Sequence, residues 1–185
     1  MSEKQGLKTK RSILGLIPLF NTMEACGKDP QTLLGRRGFS LEKMSGAAVI
    51  DQDMELAIID DAIELLHDPI LGVKIGSQVT FTSYGTYAML LMTAPTFIET
   101  LKVGVQFQSL SLLFSHMTMH FDQDWIELRY TLPEASDKLR DFIADRDLMG
   151  TYIFVREFID QPQDYLLGAG TARPKPSGPH LKAYR

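Results

Sequence analysis

The sequence has few cysteines, no membrane-spanning apolar run and no recognisable signal peptide. Cys26 is the one cysteine among 185 residues, so no internal disulfide can form and a reducing compartment is expected. No apolar run reaches the roughly 18–20 residues that span a bilayer. The segment Met1–Arg11 is polar and lacks the apolar centre of a signal peptide. These absences predict a cytoplasmic protein with no membrane partner.

Residues that carry catalysis or bind cofactors are also sparse. The sequence has neither a phosphate-binding glycine loop nor a dinucleotide fingerprint, and it has no nucleophile elbow. The histidines His67, His116, His120 and His180 are scattered, and on a strand the His116–His120 spacing separates the two residues by about 13 Å, too far to share one metal ion. We therefore expect no cofactor, no metal and no enzymatic activity. A small enzyme with dispersed catalytic residues is an alternative.

Charge is distributed unevenly along the chain, whose formal net charge is −4. Met1–Arg11 carries four basic residues and one acidic residue, and Ala172–Arg185 carries four basic residues and no acidic one. The body between them holds 11 basic and 22 acidic residues. Because nucleic-acid binding relies on neutralising phosphates, so acidic a body is not expected to bind nucleic acid.

The amino-terminal half predicts several helices. Pro18–Cys26 has a proline in its first turn and stops at Gly27. Asp51–His67 has apolar residues mostly at three- and four-residue spacings, and its first turn carries acidic residues that the helix dipole favours. The other helices predicted here are Pro30–Leu34 and Ile70–Ile75, and Leu41–Val49 is ambiguous.

The central part predicts a pair of helices. Tyr84–Thr93 is apolar throughout, which suggests burial on all sides; helix is the favoured interpretation and strand is the alternative. Ala94-Pro95 then breaks the chain. Thr96 and Glu99 form a capping box that opens a second helix, which extends to about Ser109.

The spacing of the apolar residues then changes from the three- and four-residue spacing of a helix to the two-residue alternation of a strand. Leu113–Phe121 and Trp125–Thr131 alternate between two faces on either side of a polar turn, and so predict an antiparallel β-hairpin. Glu134–Asp160 predicts a long helix with an apolar stripe, and Leu166-Leu167 is a candidate start of a further strand. The predicted fold class is α+β, with N-terminal helices, a central helix pair and an antiparallel hairpin or sheet packed on a long helix.

The stretch Asp68–Leu110 carries two elements that match a known family. Asp68-Pro69-Ile70-Leu71-Gly72-Val73 resembles that family's Asp-Pro-x-Leu-Gly-Leu element. Thr93–Leu101 resembles its Ala-Pro-Thr-Leu-x-Glu-Ala-Leu helix start, with Phe97 for the usual leucine and Thr100 for the usual alanine. From about Ile13 to Arg185, the chain is similar to the N-terminal effector-binding domain, named arabinose-binding, of AraC-type bacterial transcription regulators.

The resemblance implies a domain layout and a set of partners. Residues 1–11 would be a disordered basic lead-in, and residues 12–171 a ligand-sensing regulatory domain. The proline-rich residues 172–185 would lead toward a C-terminal helix-turn-helix DNA-binding domain that this chain lacks. The implied partners are a small-molecule effector, a second copy in a homodimer, and DNA through the C-terminal domain alone. A ligand-free dimerisation module is the alternative function.

Candidate effector-binding side chains lie near the joint of the two central helices and the hairpin. Arg129 is of interest because a guanidinium among apolar residues can pair with a carboxylate ligand; the alternative is a surface arginine. The long helix Glu134–Asp160 is the expected dimer interface. The candidate set consists of Tyr84, Tyr87, Phe97, Phe107, Met117, Met119, Trp125 and Arg129.

Overall fold

The computed structural model describes residues 10–40, 49–122 and 125–158, in a chain that divides into two units, Met1–His67 and Asp68–Arg185. Helices and two small antiparallel sheets are both present in these residues, so the predicted α+β class is confirmed. None of the helices in the described ranges is both long and apolar enough to cross a membrane.

The described part of the first unit contains three helices and one two-stranded sheet. All three helices agree with the sequence predictions to within two residues. Asp29 caps the second of them by accepting a hydrogen bond from the Gln31 amide at 2.9 Å. The elements are β1 (Lys10–Ser12), α1 (Ile17–Ala25), α2 (Pro30–Arg36), β2 (Val49–Asp51) and α3 (Gln52–Leu66).

A buried ion pair connects strand β1 to helix α3. Glu55 is fully buried in the first turn of α3, and Arg11 Nε donates to its Oε2 at 2.5 Å. Lys10 and Arg11 also pair with β2. The expectation of a disordered lead-in is therefore wrong for these two residues, because both pair with β2 and the charge of Arg11 is buried against Glu55. Residues 1–9 and 41–48 lie outside the described ranges.

The second unit places a helix pair and a hairpin beside a long helix. Its elements are α4 (Leu71–Gly76), α5 (Thr86–Leu91), α6 (Phe97–Gln106), β3 (His116–Phe121), β4 (Ile126–Thr131) and α7 (Asp137–Phe158). The capping box is present, because Thr96 Oγ1 accepts a hydrogen bond from the Glu99 amide at 3.3 Å. Helix α6 ends at Gln106 rather than near Ser109, where the chain tightens into a 3₁₀ turn.

The helical interpretation of Tyr84–Thr93 is confirmed over Thr86–Leu91, but its burial on all sides is wrong. Met89 is 71% exposed and Met92 is 68% exposed. One face of this short helix is buried and holds Tyr87, Ala88 and Leu91. The apolar run Tyr84–Thr93 is therefore not buried on all sides. One face of its helix packs inside the unit, and the other face exposes apolar side chains to solvent.

The predicted hairpin is confirmed, with shorter strands. Met117 lies opposite Tyr130, and Met119 opposite Leu128, so their side chains share one face. The polar residues fall on the opposite face, which comprises His116, Thr118, His120, Glu127, Arg129 and Thr131.

Two ends of the predicted elements differ from the structure. Leu113–Ser115 is not part of a strand, because the amides of Phe114 and Ser115 donate to the carboxylate of Asp147. The long helix begins at Asp137, three residues after the predicted start. Leu166-Leu167, the candidate further strand, lies outside the described residues.

Helix α4 packs against α7 through two glycines one turn apart. A Cβ on Gly72 would lie 2.5 Å from the Phe142 carbonyl oxygen, and a Cβ on Gly76 would lie 2.5 Å from that of Arg146. A real Cβ essentially never lies so close to a non-bonded atom, and the nearest obstructing atoms belong to backbone that cannot rotate away. The Gly72 of the Asp-Pro-x-Leu-Gly element is thus required by close helix packing.

We expect Gly72→Ala and Gly76→Ala each to lower the free energy of unfolding by about 1–3 kcal/mol, because the added methyl group must push the two helices apart. Gly150→Ala is the matched control on α7. A Cβ at Gly150 meets its nearest neighbour at 3.8 Å, so removing a helix-interior glycine there should stabilise by up to about 1 kcal/mol. Urea unfolding measures all three; equal effects would show that the close contact is not the cause.

Candidate functional site

The second unit contains a small, partly open cavity between α5, α6, the hairpin and α7. Its volume is about 40 Å³, which is room for about three water molecules. The surface that faces it is mostly apolar. The lining residues are Tyr84, Tyr87, Leu91, Thr100, Leu101, Gly104, Ser111, Leu113, Met117, Leu128, Thr151 and Phe154.

Tyr84, in the 3₁₀ turn before α5, and Tyr87, in the first turn of α5, form one wall of the cavity. The ring of Tyr84 packs against that of Tyr87, with centroids 5.8 Å apart, and lies edge-on to Phe154 at 6.2 Å. The Tyr87 hydroxyl donates to the Gly104 carbonyl at 2.7 Å. A Cβ on Gly104 would lie 3.3 Å from that hydroxyl, so the glycine gives the tyrosine room to reach the α6 backbone.

Burial keeps these phenols in their neutral form. It raises the pKa of Tyr84 to about 12, and it raises the pKa of Tyr87 and of Tyr130 well above their ordinary value. The charge of Arg146 opposes the shift in the pKa of Tyr84, and that of Asp147 adds to it. The wall presents neutral hydroxyl groups at neutral pH, as any tyrosine would, and the raised pKa values keep them neutral into the alkaline range.

The hydroxyls that line the cavity differ in whether they already have partners. Thr100 Oγ1 donates to the Thr96 carbonyl at 3.1 Å, and Ser111 Oγ donates to the Gln108 carbonyl at 2.6 Å. Thr151 Oγ1 accepts from the Tyr130 hydroxyl at 2.7 Å. The Tyr84 hydroxyl has no hydrogen-bond partner among the described residues. It is the polar group that an occupant of the cavity would meet.

A buried charged cluster beneath the cavity fixes the chain between α6 and the hairpin. Asp147 Oδ2 accepts from the amides of Phe114 (3.0 Å) and Ser115 (2.9 Å) and from the Ser115 hydroxyl. Arg146 Nη1 donates to Asp147 Oδ1 and to the Leu112 carbonyl, both at 2.8 Å. Its guanidinium lies 4.8 Å from the centroid of the Phe114 ring.

This cluster positions the cavity wall, although its own side chains are not in the lining. Ser111 and Leu113 line the cavity and alternate with the anchored Leu112 and Phe114. The charges of α7 therefore fix where the wall segment lies, and they serve as positioning groups.

Sequence reasoning missed the charged cluster, and one signal pointed to it. The apolar stripe of the long helix runs through Leu139 and Ile143, and the next position at helical spacing is Arg146. Arg146 and Asp147 are 3% and 2% exposed. When charged residues continue the apolar face of a helix, as Arg146 and Asp147 do after Ile143, they are expected to be buried and paired with each other or with backbone groups.

Three of the eight candidate residues meet in the cavity lining. Tyr84 and Tyr87 contribute from α5 and the turn before it, and Met117 contributes from β3. The remaining nine lining residues were not in the candidate set. Thr100, Ser111 and Thr151 in particular are polar residues that tertiary packing alone brings to the site.

The other apolar candidates lie away from the lining. Phe97 is partly buried at the start of α6, and Met119 shares a face of β3 with Met117. Phe107 is 39% exposed and Trp125 is 45% exposed. The structure therefore separates these four from the cavity.

Arg129 also lies outside the lining, on the polar face of the hairpin. Its Nε donates to Glu127 Oε2 at 2.8 Å, and its side chain is 60% exposed. Hydrogen bonding from Arg129 holds the pKa of Glu127 below its usual range, and the charge of His120 acts in the same direction. The structure thus shows the surface arginine that the sequence left open as the alternative.

Metal binding has no support in the described ranges, where no group of three His, Cys, Asp or Glu side chains converges. His116 and His120 lie on the polar face of β3, opposite Thr131 and Glu127.

Comparison with known proteins gives one family. A family model described as the arabinose-binding domain of AraC transcription regulators, N-terminal, matches residues 27–185. No curated protein matches the sequence. The matched range includes all of the second unit, and with it every residue of the cavity.

We expect Asp147→Ala to lower the free energy of unfolding by about 3–5 kcal/mol, because it leaves Arg146 as a buried charge without its carboxylate and frees three donors. Arg140→Ala, on the exposed face of the same helix, is the control and should have little effect. Chemical unfolding measures both. An Asp147→Ala protein as stable as the wild type would show that the cluster does not position the wall.

We expect tyrosinate absorbance to report the buried phenols as pH rises. Tyr84 should stay protonated near pH 10, where an exposed tyrosine is half ionised, and should ionise near pH 12. Because its folded pKa is raised, stability is unaffected below pH 10 and falls as pH rises from 10 toward 12, where the unfolded chain releases the proton. Tyr84→Phe should remove one late-titrating group; an unchanged titration curve would contradict its burial.

Proposed function

Because the chain belongs to the family of N-terminal arabinose-binding domains of AraC transcription regulators, we propose that it senses a small-molecule effector in the cavity beside Tyr84. The observation that carries the proposal is a partly open, mostly apolar cavity in which the Tyr84 hydroxyl has no hydrogen-bond partner among the described residues. Apolar walls with a few placed polar groups are the usual make-up of a ligand pocket. The domain acts by binding rather than by catalysis.

The size of the cavity implies that its walls move when the effector enters. A volume of about 40 Å³ is far below the roughly 300–1,000 Å³ of a typical ligand pocket. The segment at Ser111–Ser115 is fastened to Asp147, and Tyr87 is bonded to α6. Tyr84 packs against the rings of Tyr87 and Phe154 and its hydroxyl makes no hydrogen bond to a described residue, so it is the wall side chain that we expect to move.

The lining also bears on what the effector is. A pentose carries a hydroxyl on nearly every carbon, and each would be desolvated without a partner against Leu91, Leu101 and Phe154. A small, mainly apolar or aromatic molecule with one hydrogen-bonding group for Tyr84 fits better. The arabinose in the family's name is therefore not the proposed ligand of this chain.

Effector binding would act through a shift between two conformations. A ligand shifts such an equilibrium only by its difference in affinity for the two states. The form with Tyr84 packed against Tyr87 and Phe154 would be one state, and a form with Tyr84 rotated outward would be the other. In the full regulator, this shift and the dimerisation of the domain would control how a C-terminal helix-turn-helix domain meets DNA.

We expect a thermal-shift screen of small apolar and aromatic metabolites to raise the melting temperature of the chain, and arabinose to leave it unchanged. Tyr84→Phe should weaken binding of the best compound by about three- to tenfold, the loss of one hydrogen bond. Tyr152→Phe, on the exposed side of α7, is the matched control and should bind normally.

Two results would count against the proposal. If no compound raises the melting temperature while the chain is a stable dimer, the domain is a ligand-free dimerisation module. If arabinose binds and Tyr84→Phe does not weaken it, the effector site lies outside this cavity.

A further inference from the structure

The two strands of the hairpin differ in how their outer edges are occupied. On β3, the Gln108 carboxamide accepts from the Met117 amide at 2.6 Å and donates to the Met117 carbonyl at 2.8 Å. Met117 therefore points its backbone groups away from β4. Gln108 closes the outer edge of β3 at that residue.

The bonding of Met117 also fixes which residues of β4 face outward. Backbone groups in an antiparallel pair alternate between facing the partner strand and facing away. Met117 lies opposite Tyr130, so Tyr130, Leu128 and Ile126 turn their N–H and C=O groups to the outer edge of β4. No hydrogen bond from any described residue reaches these groups.

We infer that this open edge of β4 pairs with β4 of a second copy, in antiparallel orientation about a two-fold axis at Leu128. The pairing deepens the dimerisation part of the proposed function and rests on it. It forms a four-stranded sheet across the dimer and satisfies the outward groups with up to about six backbone hydrogen bonds.

The sequence of β4 is complementary to itself in this register. With Leu128 opposite its own copy, Glu127 of one chain lies opposite Arg129 of the other, and the reverse pair forms on the far side of the axis. These residues sit on the polar face, where they already alternate in sign within one strand. Opposite charges across strands stabilise a pair, and like charges destabilise it.

The apolar residues agree with the same register. Ile126 falls opposite Tyr130 of the second copy, and Leu128 opposite Leu128, all on the face that carries Met117 and Met119. Each face of the extended sheet thus keeps its character across the axis. A shift by one residue would place the apolar face of one copy beside the polar face of the other. A shift by two would place Glu127 or Arg129 opposite its own copy, so the register centred on Leu128 is favoured.

This interface gives the cavity a direct connection to the dimer. Leu128 lines the cavity with its side chain, and its backbone lies at the two-fold axis. A ligand that displaces the Leu128 side chain would change the strand at the centre of the interface. The expected interface on the long helix is replaced here, because α7 buries Leu139, Phe142 and Ile143 within its own unit.

Charge reversal tests the register in the full 185-residue chain. We expect wild type to sediment as a dimer, and Glu127→Arg or Arg129→Glu alone to weaken dimerisation by at least about tenfold, because each places like charges opposite one another. The double reversal Glu127→Arg with Arg129→Glu restores the alternation and should restore the dimer. Arg37→Glu, at an exposed ion pair in the first unit, is the control that should not alter it.

Disulfide trapping tests the geometry independently. In a Cys26→Ser background, a Glu127→Cys chain mixed with an Arg129→Cys chain should form a cross-linked dimer. Residues at a non-hydrogen-bonded position lie about 4.5 Å apart between Cα atoms, within reach of a disulfide. Glu127→Cys alone should cross-link more slowly, since its own copy lies diagonally across the axis.

The outcomes separate this inference from effector sensing. A dimer that survives both single reversals and does not cross-link has its interface elsewhere, and the β4 pairing is wrong. A monomer overturns the pairing and the dimerisation while leaving the thermal-shift result to decide sensing. A monomer with slow amide exchange at Leu128 also overturns the pairing, because the chain's own residues then cover the edge.

Discussion

The close contact of α4 with α7 is the constraint on which the second unit depends. Gly72 and Gly76 bring the two backbones so near that no side chain fits between them. The contact fixes α7, and the following turns of that helix then carry Asp147 beneath the wall segment and Thr151 and Phe154 into the cavity lining. A cavity assembled from distant parts of the chain is in this way built on one rigid helix.

The elements that local chemistry dictates were predictable from the sequence. The capping box at Thr96 and the alternation on both sides of the polar turn depend on neighbours along the chain, and both predicted structures are present. The sequence singled out Gly72 only because it lies in the segment that resembles the family's Asp-Pro-x-Leu-Gly-Leu element. The physical reason for that glycine is a contact with Phe142, which is distant in sequence, and no local pattern contains it.

The residues of the site were predictable only in part, because tertiary packing selects them. Tyr84 and Met117 are apolar or aromatic residues on elements whose positions were predicted, and they reach the cavity. Thr151 reaches it because helix packing turns that face inward. Arg129 has apolar neighbours along the strand, and this suggested a buried guanidinium. Alternate residues of a strand face opposite sides of the sheet, and Arg129 lies on the side that faces solvent.

The register of α7 carries a consequence for how its length can change. From one continuous helix, Phe142 contacts α4, Asp147 holds the wall segment, and Thr151 and Phe154 line the cavity. One inserted or deleted residue would rotate everything beyond it by about 100° and shift it by about 1.5 Å. Substitutions on the exposed side of α7 are tolerable, whereas the number of residues between Phe142 and Phe154 is not free to vary.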